Sequence, residues 1–152
     1  MIHRIEPDGV FGLPDLVSQV SVPAGLGLAF ISGQVAWDEE GRVVGEGDHM
    51  AQAAQVARRI DRLLDALGAR RQDIVKETVY VVDHEPHLIP GILAALHGSP
   101  PPSSTLVGVA KLFAPEFLIE VECVVALPDG KRDGKPDGKP DGKPDGKRGM
   151  SR

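Results

Sequence analysis

The sequence predicts an α+β fold, a two-layer sandwich in which two helices cover one face of a mixed β-sheet, and three observations carry that prediction. One long stretch has apolar residues at helical spacing, short segments rich in β-branched residues lie on both sides of it, and a second, shorter helical stretch is closed by a run of prolines. A sheet with one apolar face must bury that face, and helices of this length are the only elements on offer to do so.

Taken in order, an edge or hairpin strand is expected over 17–22 and a second strand over 27–34, both bounded by Gly or Pro. Asp48 then offers an N-cap. Ala53, Val56, Ile60, Leu63, Leu64 and Leu67 follow on one helical stripe until Gly68 ends it. Arg58, Arg59, Arg62 and Asp65 fall off that stripe and read as a solvated outer face rather than an anion site. A third strand is expected over 74–82. The second helix fits 90–97, with Pro90 in its first turn and Gly98 followed by Pro100, Pro101 and Pro102 as its stop. Two further strands, 105–112 and 117–127, complete the order ββ, helix, β, helix, ββ.

At 152 residues the chain has room for one domain, assigned to residues 1–128. Residues 129–152 repeat Asp-Gly-Lys-Pro with a period of four and hold no apolar residue before Met150, so a disordered tail is expected there. The formal charge of −5 divides unevenly. The tail carries eight basic and five acidic residues, the body nine basic against seventeen acidic, or −8. An acidic body repels phosphate backbones, which excludes nucleic acid as a partner. No apolar run is long enough to span a bilayer, so no membrane partner is expected either. The lone Cys123 cannot form an internal disulfide, and Arg4, Glu6 and Asp8 interrupt any leader-like start, so the predicted location is cytoplasmic.

The chemistry concentrates on the last strand. Phe117, Ile119, Val121, Cys123 and Val125 share one face, while Leu118, Glu120, Glu122 and Val124 share the other. Two carboxylates about 6.5–7 Å apart can push one pKa up and create an acid or base if they are partly buried; on an open face in water both stay ordinary. Cys123 reads as a small buried hydrophobe. His84 and His87 flank Glu85 at a spacing that could ligate metal, but Pro86 breaks the helix such a pair needs, and a solvated loop with no metal is the reading. No glycine-rich phosphate loop is present, so no nucleotide cofactor is expected.

Four segments add a specific signal: Phe30-Ile31-Ser32-Gly33-Gln34-Val35, then 73–83 (Asp-Ile-Val-Lys-Glu-Thr-Val-Tyr-Val-Val-Asp), then 101–112 (Pro-Pro-Ser-Ser-Thr-Leu-Val-Gly-Val-Ala-Lys-Leu), and Ile119-Glu120-Val121-Glu122. In this order, over 18–127, they resemble the RidA/YjgF family of reactive-intermediate deaminases. The resemblance implies a homotrimer of chorismate-mutase-like subunits with a small-molecule pocket in each cleft between neighbours. It also implies cofactor-free hydrolysis of imines or enamines by an ordered water. Glu120 occupies the position of the acidic residue associated with that water. Ser32 and Gly33 match pocket-lining backbone, and Thr105 and Leu106 fall where substrate meets main chain.

One departure stands out. Ser104 occupies the position of an Arg that, in deaminating members, forks the substrate carboxylate, and serine cannot make that charged contact. The aromatic residue expected near 18–20 is missing too, and the chain before Ser104 is a few residues short. The resemblance therefore implies either a hydrolase for a small substrate without the usual α-carboxylate or a non-catalytic, metabolite-binding trimer. The endoribonuclease role sometimes attached to the family conflicts with the −8 body.

Overall fold

The structure is a computed structural model, and it describes residues 1–128; the repeat over 129–152, with the disorder expected of it, lies outside the described residues. The elements run β1 (Ile2–Ile5), β2 (Val20–Pro23), β3 (Leu28–Val35), α1 (His49–Leu67), β4 (Ile74–Val82), α2 (Ile89–Leu96), β5 (Ser103–Val109) and β6 (Ile119–Ala126). They form one six-stranded sheet in the order β1-β2-β3-β6-β4-β5. Only β4 and β5 pair in parallel, the arrangement that α2 permits by carrying the chain back between them.

Alternation places the core. Ile119, Val121, Cys123 and Val125 of β6 are buried on the helix side, beside Val79 and Val81 of β4 and Ala29 and Ile31 of β3. The α1 stripe from Ala53 to Leu67 and Ile92 and Leu96 of α2 close over them in one continuous cluster. The helix ends are built as the residues foretell. Asp48 accepts hydrogen bonds from the backbone N–H groups of Met50 (2.9 Å) and Ala51 (3.0 Å), and Gly68 takes the left-handed conformation (φ 63°) that terminates the helix.

Three expectations need correction. β1 was not foreseen, because Ile2-His3-Arg4-Ile5 becomes a strand only through its antiparallel pairing with β2. β5 starts at Ser103 and ends at Val109, a shift toward the N-terminus set by its ladder with Lys76 to Val82. The third concerns Arg59, which is 4% exposed rather than part of a wet face. The N-terminal segment folds across α1, and the Arg59 guanidinium donates to the Phe11 carbonyl (2.7 Å) and to Gln34 Oε1 (3.1 Å). Helical periodicity cannot reveal a segment that covers the outer face from elsewhere in the chain. Among the described residues, no helix is long and apolar enough to cross a membrane.

Candidate functional site

β6 runs between β3 and β4 and turns Glu120 and Glu122 away from the helices. Glu120 leans across to β3, where the ladder shifts register between Ile31 and Gln34. That irregularity contains Ser32 and Gly33, and a Cβ at position 33 would overlap the Glu120 carboxylate. Glycine is required there to admit the acid. The Ser32 backbone is held in place: its N–H donates to the Gln19 carbonyl (3.0 Å), and its own carbonyl accepts from Gln34 Nε2 (3.2 Å).

Glu120, Ser32 and Gly33 open into a cavity of about 290 Å³ whose other walls are Leu13, Leu16, Val17, Gln19, Val35, Trp37 and Phe113. Among the described residues the lining is mostly apolar and contains one carboxylate and no cation. Partial burial raises the Glu120 pKa, and the neighbouring negative charge of Glu122 raises it further. Glu122 is differently placed, on the open face, where it accepts a hydrogen bond from the Tyr80 hydroxyl at 3.2 Å. One carboxyl is thus poised to take or give a proton beside an apolar hollow, while its neighbour stays wet.

The remaining sequence-derived site residues lie elsewhere in the chain. Ser104, Thr105 and Leu106 belong to the edge strand β5, and none of the three lines the Glu120 cavity. Ser104 pairs across the ladder with Glu77 and donates to its Oε1 at 2.7 Å; His97 Nε2 reaches the same oxygen at 2.5 Å. Glu77 is 1% exposed and faces the helices. Thr105 faces the other way, with Lys76 Nζ at 2.5 Å from its hydroxyl, and Leu106 packs against the core. The Glu77, His97 and Ser104 cluster was not anticipated. A signal existed: Glu77 shares strand parity with Val79 and Val81, so a carboxylate stands on the apolar side of β4. Cys123 behaves as expected, its thiol pushed up to about 12, chiefly by burial. His87 pairs with Glu85 in an exposed contact of 3.2 Å, and no group of three or more side chains that could hold a metal is found among the described residues.

This architecture, with its acid seated against a glycine in a sheet irregularity, can be set beside known proteins. A family model described as endoribonuclease L-PSP matches residues 18–127. A RutC family protein of Synechocystis sp. is 31% identical over 108 residues, which is 67% of this chain and 80% of the relative. Among solved structures, a Yersinia pestis protein of unknown function from the conserved Rid protein family is 32% identical with a TM-score of 0.63, covering 83% of this chain and 98% of that one. RidA from an Antarctic Psychrobacter sp. is 26% identical with a TM-score of 0.69, covering 82% of this chain and 99% of the other. The chain therefore belongs to the RidA/YjgF family.

Proposed function

We propose that the chain is a cofactor-free hydrolase of small imines, enamines or related electrophiles that lack an α-carboxylate, working as a homotrimer whose clefts complete the Glu120 cavity. The observation that carries this reading is the cavity lining, which sets a carboxyl of raised pKa among apolar walls with no cation to hold an anionic substrate. In the step proposed, a water oxygen bonds to the carbon of the C=N group while Glu120 takes the water proton. Glu120 then hands that proton to the nitrogen, giving a carbinolamine, and shuttles the remaining hydroxyl proton to the same nitrogen, so that the C=O bond forms as the C–N bond breaks and a carbonyl compound and ammonia or an amine leave. A general base poised in this way contributes on the order of 10²- to 10⁴-fold in rate.

The acidic body speaks against RNA as substrate, despite the endoribonuclease wording of the matching family description. A second reading, a non-catalytic metabolite binder, is favoured by Ser104, whose hydroxyl is engaged by Glu77 in place of a cation directed at substrate.

The deciding experiment compares ammonia release from imines generated in situ with and without an α-carboxylate. Turnover of the carboxylate-free imine, reduced at least about a hundredfold by Glu120→Gln, is the expected result. Saturable binding of the same compounds without turnover establishes the binder instead, and robust turnover of the carboxylate-bearing imine overturns the assignment of substrate class.

A further inference from the structure

We propose that a second hollow, between the outer face of α1 and the chain just after β3, is a binding site for a small oxyanion, gripped by Arg58 and Arg59 against the indole of Trp37. The hollow measures about 190 Å³, and its charged lining is Asp38, Glu39, Arg58, Arg59 and Arg62. Those charges do not cancel evenly. Arg62 pairs with Glu39, and Asp38 is paired by Arg42, whose guanidinium lies at 2.7 Å. Both carboxylates are thus spoken for.

Arg58 and Arg59 are left over. Among the described residues Arg58 donates only to the neutral Gln55 Oε1, at 2.9 and 2.6 Å. Arg59, although 4% exposed, meets only neutral oxygens among the described residues through Nε and Nη2, and its guanidinium carbon sits 5.9 Å from the centre of the Trp37 ring. Among the described residues its Nη1 has no hydrogen-bond partner, and since no side-chain nitrogen there is both sealed and unpaired, Nη1 retains some access to the surface; Arg59 is one of the residues that line the hollow.

A buried guanidinium without a counter-charge is costly; here burial alone lowers its pKa to about 10. An oxyanion accepting from Nη1 and from the adjacent Arg58 would offset that cost with charge-assisted hydrogen bonds, for which the planar guanidinium fork suits phosphate and carboxylate alike. Trp37 also walls the Glu120 cavity, and Gln34 joins Arg59 to Ser32 and Gln19. Occupancy of the second hollow would therefore be felt next to Glu120.

Trp37 is the only tryptophan in the chain, so its fluorescence reports on this site directly. The full chain is titrated with inorganic phosphate and, separately, with acetate, each against sodium chloride at matched ionic strength. A saturable change with either anion is expected. Phosphate alone would assign a tetrahedral oxyanion and both together any oxyanion, and Arg58→Ala should weaken binding roughly tenfold. Arg59→Lys, which keeps the charge but loses the fork, should weaken it as well, with circular dichroism confirming the fold. The site is overturned if neither anion saturates beyond the chloride control, or if both variants bind as tightly as the unchanged chain.

Discussion

Glycine at position 33 leaves the volume that the Glu120 carboxylate fills. Its backbone is not in the left-handed region, so an alanine is tolerated conformationally and what it displaces is the end of a flexible side chain. Gly33→Ala should change folding stability by about 1 kcal/mol or less while abolishing whatever Glu120 does in the cavity, a separation that melting curves and activity on the same sample would reveal. The raised pKa of Glu120 gives a second test. Because the folded state disfavours the ionised acid, ionisation costs stability as pH rises through the folded pKa, and nothing is lost below the unfolded value. Glu120→Gln should therefore raise the melting temperature near neutral pH, with the gain fading as pH falls through about 4 and gone by about pH 3, where the glutamate is neutral in both states. In a Gly33→Ala background the same substitution should gain less, since the carboxyl is already out in water. From its alternation and its neighbour Glu122, Glu120 could be recognised in the sequence as a candidate acid, but whether it was buried or wet depended on Gly33 across the ladder.

At the scale of elements, α1 is tied to the approach to β6 by one buried amide. Gln52 Nε2 donates to the carbonyls of Gly45 (3.1 Å) and Glu116 (2.8 Å), and its Oε1 accepts from Leu118 N–H (2.8 Å). These bonds fix the loop that delivers Glu120 to its place. Gln52→Leu keeps the bulk and strips the partners, and orphaned buried groups cost about 1–3 kcal/mol each, so the unfolding free energy read from denaturant curves should fall by at least that amount. A loss below about 0.5 kcal/mol would mean that water substitutes for the amide. α1 itself was legible because cap, stripe and stop are all local features of Asp48, the Ala53 to Leu67 spacing and Gly68. β1 was not, since half of its residues are polar and its strand character is conferred by Pro23, Val22, Ser21 and Val20 opposite.

For the whole molecule, the sheet face opposite the helices is the surface on which the proposed trimer rests. It presents Glu122, Tyr80 and the partly exposed apolar side chains of Phe30 and Val107, while the cavity mouth leaves Leu16 78% and Phe113 63% exposed. Covering such apolar surface is favourable at roughly 25 cal/mol per Å², which supports the proposed trimer. Sedimentation at micromolar concentration should give three times the chain mass, and a monomer there would remove the shared cleft on which the proposed reaction depends. By itself the sequence determined the fold class, the family, the acidic charge of the body, the long helix and the candidacy of Glu120, because period, caps, charge and motif order are all written along the chain. Only the tertiary structure decided that Arg59 is buried, that Ser104 answers to Glu77 and His97, and that Glu120 nests on Gly33 beneath Trp37 and Phe113. Each of these joins residues remote in sequence through strand register or a folded-over terminal segment, and spacing along a single chain carries no information about either.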